Sequence, residues 1–476
     1  MANIDLLNIL QDDGQRGIAT KALKDAPIVI IGAGMGGLAT ALALAKKGFK
    51  DIQVIERASG LGFVGAGIQM APNVARILTR LGCWSPVEAE ATDVLETSIR
   101  DGASNQELAH VAMPNIRKMY GYPHCTGHRA TLAGSLYDAC KLEPAIKFKF
   151  GHSLRSIESF APQATFTLQT EAGETLQMKA AVLIGADGVK SIARAALLSK
   201  AGLSESVEDT GQAAYRILLP REAMENDPEM MELLDSNQVT RWIGEKRHWI
   251  CYPIASRTIY NMSSIQPDDN FAAAPSSTYT TKGSKKAMMD VFSDFCPLVL
   301  RMLNLKPLPT WVHGSVALLG DACHPTLPHL NQGAGLAIED AAVLAEVLDR
   351  APDATPKSIN KCLQVYEALR KPRATTLVEL AALSGRTLHL GQGKAKEERD
   401  KQFAEANGGG KVPDKWASPE VQKMIYSYDC MQEAAAKFDE EYRNLERSIR
   451  KSCFSFSRIW GLIFHTEQER SISNRL

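Results

Sequence analysis

The stretch P-I-V-I-I-G-A-G-M-G-G-L-A-T-A-L-A-L-A-K-K-G, Pro27 to Gly48, decides the architecture. Its apolar run predicts a buried strand, Gly32, Gly34 and Gly37 complete G-x-G-x-x-G, and Ala39 to Ala45 predicts a small-residue helix able to pack closely on a sheet. A second apolar run, Ile52 to Ile55, ends in Glu56, 19 positions beyond Gly37. Strand, glycine turn, helix, strand and acid in this order specify a dinucleotide site. The glycines let backbone approach a pyrophosphate, and the acid accepts ribose hydroxyls.

Almost 300 residues downstream stands G-D-A-C-H-P-T-L-P-H-L-N-Q-G-A-G-L-A-I-E-D-A, Gly320 to Ala341. It follows the apolar run Val316 to Leu319 and places Asp321 at a strand exit. Pro325 and Pro328 stiffen the loop, since each ring fixes its own φ. Gly333 and Gly335 then open an apolar-periodic helix whose bare N-terminus suits an anion or an electron-rich ring. Taken alone, the segment also reads as an ordinary strand–loop–helix junction.

The whole chain narrows the field. At 476 residues it has room for two or three domains. Lys plus Arg and Asp plus Glu both number 54, so no electrostatic attraction to nucleic acid is expected. No apolar run is long enough for a membrane span, and the acidic N-terminus lacks a secretory n-region. Nine scattered cysteines without C-x-x-C predict reduced thiols in a cytoplasmic setting and argue against a disulfide-reducing enzyme. No histidine spacing suggests a metal. The terminal S-N-R-L is only a faint match to the peroxisomal S-K-L address.

Along the chain, Arg129 to Cys140 predicts a helix, and alternating runs from Ile146 to Met178 predict a small sheet with a hairpin turn at Gly173. Ala181 to Ile184 predicts a buried strand entering G-A-D-G-V-K-S-I-A-R. Residues 211–265 switch to longer, aromatic-rich strands, read as a separate antiparallel sheet forming a substrate wall. After Ala341 the pattern is mostly helical, and Phe438, Tyr442, Leu445 and Ile449 make a packing stripe.

The three ordered motifs together resemble the single-component flavoprotein aromatic hydroxylases, the group of salicylate and para-hydroxybenzoate hydroxylases. Further matches are G-A-G-I-Q-M-A-P-N (65–73), H-R-A-T-L (128–132) and Y-E-A-L-R-K-P-R-A (366–374). The likeness runs from about residue 27 to 375. It implies an α/β fold with a Rossmann-type FAD-binding domain in two pieces, 26–205 and 310–375. An inserted antiparallel β-sheet substrate domain would span 206–309, and a helical C-terminal segment 376–476. It also implies that Gly32, Gly34, Gly37, Glu56, Gly67, Arg129, Asp187, Asp321, Gly333, Ala334 and Gly335 bind FAD, with Glu56 on the adenosine ribose and Arg129 reaching the phosphates. The aspartate matched by Asp187 links the FAD and NAD(P)H regions; a turn aspartate is its plain reading. Pro328 matches the proline beside the flavin's reactive face. No second G-x-G-x-x-G follows a strand, as expected where NADPH or NADH docks transiently.

The activity implied is hydroxylation of an electron-rich aromatic by NAD(P)H and O₂ through a flavin C4a-hydroperoxide. A hydroxybenzoate-type phenolic acid is the first expectation, with decarboxylative hydroxylation included. Such chemistry needs a stabilised phenolate and exclusion of water. Arg216 is the candidate partner of the phenolate or a carboxylate, Tyr215 and Tyr252 candidate donors to a ring oxygen, and His329 a proton relay. Their plain readings are a surface strand arginine and sheet-packing aromatics; Trp242 and Trp249 read as pocket wall or core, and His324 as structural. Two other readings share the nucleotide domain: an epoxidase or hydroxylase tailoring a polyketide or indole-type metabolite, and a flavin-free escort-type binding protein. Monomer and homodimer are both compatible with the sequence.

Overall fold

The structure is a computed structural model describing residues 23–62, 66–203, 207–214, 216–225, 227–267, 300–305, 312–313, 315–324, 330, 332–390, 393–406, 413 and 418–445. Tyr215, Pro325, Pro328, His329 and Asn331 lie outside the described residues.

Strand β1 (Ile28–Ile31) is buried along its whole length, which is why it reads as an unbroken apolar run. It leads through Gly32 to Gly34 into helix α1 (Met35–Lys46) and back to β2 (Ile52–Ile55), which lies parallel beside β1. Six strands make this sheet, in the order Val312–His313, Val316–Leu318, Val182–Gly185, β1, β2, Ile146–Lys149. Every pair is parallel except the edge pair Val312–His313 with Val316–Leu318. The strand reading of Ala181 to Ile184 thus lands one residue out, at Val182–Gly185.

Beside this layer, β3 (Gly67–Met70) pairs antiparallel with Cys125–His128 and feeds α2 (Pro72–Leu81), whose first turn begins on a proline and whose end is closed by Gly82 at φ +79°. Helix Arg129–Lys141 and the hairpin turn at Gly173 fall where the sequence puts them. Helix α3 (Ile192–Lys200) follows the G-A-D-G motif.

The aromatic-rich region contributes β4 (Arg216–Pro220), β5 (Arg247–Ile254) and β6 (Ile259–Pro267) to a sheet of eight strands. Two further strands, Glu96–Asp101 and Glu107–Ala112, come from much earlier in the chain and join through a parallel pairing of Glu96–Asp101 with Gln238–Gly244. Period-two alternation splits the sheet's faces. Ile250, Tyr252 and Ile254 pack into the main core, while Trp242, Trp249, Cys251 and Tyr260 form a second cluster with Met224 and Leu234. The two tryptophans are therefore core residues of the far face.

Helices α4 (Gly333–Asp349), α5 (Pro356–Leu388) and α6 (Pro419–Tyr426) and a helix over 430–445 complete the described chain. Ile425, Tyr426, Cys430, Ala434 and Phe438 are buried in the main core, so the C-terminal segment packs on the body, and Phe438 stacks on Tyr442 at 5.4 Å between ring centres. No helix among the described residues is long and apolar enough to cross a membrane.

The glycine turn tests how tightly this layer is set. Gly32 has φ +103°, and a Cβ there would lie 2.3 Å from the Ala186 carbonyl oxygen, whereas one at Gly34 meets nothing within 4 Å. Gly32→Ala is expected to lose at least roughly 2 kcal/mol of stability in chemical unfolding, from backbone strain plus the clash. Gly34→Ala should unfold with the wild-type midpoint.

Candidate active site

Two halves of a site face the same region, and the first is built on β1, α1 and β2. The Glu56 carboxylate, just past the end of β2, turns back to the glycine turn: Oε2 accepts the Ala33 N–H at 2.9 Å and Oε1 the Ala58 N–H at 2.9 Å. A carboxylate has about four acceptor positions, so two remain for ribose hydroxyls. The start of α1 has no side-chain cap and no acid in its first turn, and Gly34 is exposed. Its free N–H groups and the positive end of the helix dipole suit a pyrophosphate. Gly37 is required for another reason: a Cβ there would lie 2.0 Å from the Gly32 carbonyl oxygen. This donor set fits a dinucleotide.

The second half is the turn Gly320–Ala322 and the start of α4. Gly320 has φ +58° and donates its N–H to Asp340 Oδ2 at 3.0 Å. Asp321 is exposed, yet protein crowds it enough that burial raises its carboxyl pKa, with Asp340 adding to the rise and His324 and Arg129 opposing it. Arg129, the first residue of its helix, is exposed in the same way; its N–H donates to the Ala66 carbonyl at 2.8 Å. Burial lowers its pKa, Arg216 lowers it further, and Asp321 counters.

Arg216 is exposed on β4, and Tyr252 is buried on β5. Burial raises the Tyr252 phenol well above its ordinary value, and the only downward pull comes from Arg216. Tyr252 therefore remains an O–H donor at neutral pH. The structure thus links these residues in a chain: Tyr252 lies within electrostatic reach of Arg216, Arg216 of Arg129, and Arg129 of Asp321. The start of α4 borders the second half: Gly333 and Ala334 are half-buried, no side chain caps the helix, and a Cβ at Gly335 would press Gln332 Oε1 and Val74 Cγ2 at 3.1 Å each. Gly67 donates its N–H to Asn261 Oδ1 at 2.6 Å, which ties β3 to the sheet carrying Arg216 and Tyr252.

Asp187 is differently employed. Its Oδ2 accepts the N–H groups of Ile192 at 2.8 Å and Ala193 at 3.2 Å, and its Oδ1 accepts the Ser191 hydroxyl, so the carboxylate caps α3. Burial nevertheless raises its pKa.

Several residues that hold the site were missed in the sequence. Arg194, fully buried, donates to the carbonyls of Val189 at 2.6 Å and Ala322 at 3.4 Å, joining two motifs far apart in sequence. Arg370 donates to Asp340 Oδ1 at 2.8 Å and meets Glu339 Oε2 at 2.8 Å, all three buried. Arg373 pairs with Glu339 and reaches the Met424 carbonyl at 3.2 Å. The signal existed: Glu339 and Asp340 interrupt an otherwise apolar helix, and acids there demand buried partners. Nothing marked Tyr426, whose hydroxyl lies 2.9 Å from His124 Nδ1, while His124 Nε2 lies 3.4 Å from Gln69 Oε1 on β3. Burial pushes the His124 pKa down to about 4, so this chain is uncharged at neutral pH.

Removing the central cation leaves two buried carboxylates short of a partner. Arg370→Met is expected to cost about 3–5 kcal/mol in denaturant unfolding; a loss under about 1 kcal/mol would show that the cluster does not hold the helices together.

Comparison with known proteins places the chain in a family. A family model described as FAD binding domain matches residues 25–381. The chain is 30% identical over 414 residues to the FAD-dependent monooxygenase ntnJ of Nectria sp, covering 84% of this chain and 92% of that one. It is 33% identical over 342 residues to 3-hydroxybenzoate 6-hydroxylase 1 of Aquipseudomonas alcaligenes, covering 68% and 81%. Among solved structures it superposes on a salicylate hydroxylase substrate complex with a TM-score of 0.67 at 24% identity, over 86% of this chain and 97% of that one. With three quarters of its length matched to the family and two long-range relatives at 30% identity or more, the chain belongs to the FAD-binding-domain family, as an FAD-dependent monooxygenase of the aromatic hydroxylase type.

Proposed function

We propose that the protein hydroxylates a phenolic acid of the hydroxybenzoate class, using NAD(P)H and O₂, and that Arg216 and Tyr252 hold the substrate's phenolate. The observation that carries this reading is that Arg216 lies within electrostatic reach of both Tyr252 and Arg129, the latter in turn near Asp321. Oxygen transfer to a ring needs an electron-rich arene, and a guanidinium beside the ring oxygen lowers the phenol's pKa and favours the anion. Tyr252 adds a neutral donor to the same oxygen, and its depth keeps water away from the reacting face. Relatives named as acting on hydroxybenzoates support the substrate class, including 3-amino-4-hydroxybenzoate 2-monooxygenase of Streptomyces cremeus, 31% identical over 388 residues.

Bound flavin would supply the oxygen-transfer chemistry. Gly32, Gly34, Gly37, Glu56 and Arg129 would hold its adenosine and phosphate end, Asp321 its ribityl region, and Gly333, Ala334 and Gly335 its pyrimidine edge. Gly67 would set the backbone of β3 beside it. Asp187 would act through its cap on α3, keeping the preceding loop in place for NAD(P)H to dock.

A second reading is an epoxidase or hydroxylase acting on a larger polyketide or indole-type aromatic. It draws on relatives that cover more of the chain, such as FAD-dependent monooxygenase OpS4 of Beauveria bassiana at 28% identity over 85% of this chain. Both readings use Arg216; they differ in whether the substrate carries a carboxylate.

The test is NAD(P)H oxidation by the FAD-loaded enzyme with 3-hydroxybenzoate, salicylate and uncharged phenols, followed by product mass. A product 16 mass units heavier, or lighter by the balance of CO₂ loss, is expected from an acid; turnover of the uncharged phenols alone would move the assignment to the second reading. Arg216→Ala should keep its flavin colour and lose roughly 100-fold in kcat/KM, the worth of a charge-assisted hydrogen bond of about 3 kcal/mol. Turnover equal to wild type would remove Arg216 from the chemistry.

A further inference from the structure

Beneath the turn that carries Asp321 lies a buried ion cluster with no part in the chemistry above. His324 is 5% exposed, and its Nε2 meets Oδ2 of Asp340, which is fully buried. The same carboxylate accepts the Gly320 N–H and, on Oδ1, the Arg370 Nε–H. Arg370 continues to Glu339, and Glu339 to Arg373 and to Asn73 Nδ2 at 2.8 Å. The two carboxylates are balanced by the two guanidiniums. The cluster is therefore neutral with a neutral imidazole and carries one positive charge with a protonated one.

Cys323 Sγ, His324 and Asp340 bring three ligand-type atoms within 4.8 Å of one another. A cation there is disfavoured because Arg370 already holds Asp340, and burial keeps the Cys323 thiol protonated, far above its ordinary pKa. The arrangement is an ion pair.

Opposing effects act on the imidazole. Burial pulls the His324 pKa down, but the charge and hydrogen bond of Asp340 outweigh it and the net direction is up; Arg370 opposes and Asp321 assists. On the other side of the pair, burial would raise the Asp340 pKa, yet His324 and Arg370 hold it down at about 2. The charged groups facing the imidazole are thus Asp340 on α4, Arg370 on α5 and Asp321 on its own turn.

We propose that His324 is a positioning residue for the flavin: through Asp340 it pins the turn that carries Asp321, and the positive end of this buried ion pair favours the reduced, anionic cofactor. The proposal rests on the reading that Asp321 and the start of α4 face the flavin. Both effects have a source in the geometry. Asp340 Oδ2 holds both the Gly320 N–H and the imidazole, so the two ends of the turn are tied to one atom. Reduction adds negative charge to the flavin, and a positive charge inside a medium of low effective dielectric stabilises it more than water does. Glu339 and Asp340 are matched by Arg370 and Arg373, so beyond this pairing a charge on His324 faces Asp321 alone among the charged groups named above.

The experiment separates the two roles by reconstituting apoprotein with FAD. His324→Gln keeps an N–H for Asp340 and removes the charge; His324→Ala removes both. For Gln, the FAD dissociation constant should stay within about threefold of wild type, while the preference for reduced over oxidised flavin falls about tenfold, read as about 30 mV in a dye-equilibrated two-electron titration. For Ala, the same drop should come with FAD binding weakened at least about tenfold. A Gln variant with the wild-type potential overturns the charge role, and an Ala variant with the wild-type dissociation constant overturns the pin. Should neither variant fold, ¹⁵N-histidine spectra of the wild-type holoenzyme at pH 8 decide the matter. One imidazole of the ten protonated at both nitrogens supports the proposal, and ten neutral rings overturn it. Wild-type apoprotein that takes up no FAD would instead overturn the flavin reading itself.

Discussion

Arg370, with no exposed surface, sits between Glu339 and Asp340, and the arrangement of the site depends on that placement. A buried guanidinium is tolerable only when nearly every donor has an anion or carbonyl to meet, so it fixes the geometry of whatever surrounds it. Here it joins α5 to α4. Through Asp340 the link reaches Gly320 and His324 in the turn bearing Asp321, and through Glu339 it reaches Asn73 at the start of α2. Arg373 extends it to the C-terminal segment, with its guanidinium 3.7 Å from the centre of the Tyr428 ring and a bond to the Met424 carbonyl. Four stretches distant in sequence are held by one small set of charges.

Two walls are set by such fixing. One wall is the doubly wound layer, where glycines remove the side chains that would block the approach of strand, helix and ligand. The other is the face of the eight-stranded sheet bearing Arg216 and Tyr252, with its opposite face committed to the Trp242–Trp249 cluster. β3 spans the two walls: Gly67 is bonded to Asn261 of β6, and Gln69 on the same strand is reached by His124 and, through it, Tyr426. A helix beyond the residues matched by the family model thereby borders β3. That gives the C-terminal segment a structural stake in the site without a residue in it.

Legibility in the sequence followed the range of the interaction involved. The β1–glycine–α1–β2–Glu56 unit is continuous in the chain, and its strand burial, helix packing and the Glu56 bond back to Ala33 show in the order of its residues, although the Ala186 carbonyl that crowds Gly32 comes from far downstream. That order was readable in full, as were the turn at Gly320 and the bare start of α4. The sheet carrying Arg216 was readable from alternation, but its two strands from residues 96–112 were not, since a parallel pairing across more than a hundred residues leaves no local mark. Asp187 illustrates another limit: the aspartate of a recurring motif and the aspartate that caps a helix look the same until Ser191, Ile192 and Ala193 are seen to occupy its oxygens.

The sequence by itself determined the nucleotide-binding layer, the glycine turn that opens it, and the residue types available for a phenolate. Those follow from backbone sterics and periodicity, which act between neighbours in the chain. Only the tertiary structure decided that Arg216 lies within electrostatic reach of Tyr252 and Arg129, which of the motif glycines a side chain would crowd, and that His324 is locked to Asp340 beside Arg370. Charges act through space, and whether two of them attract, cancel or stand alone is set by where folding leaves them and how much water it leaves between.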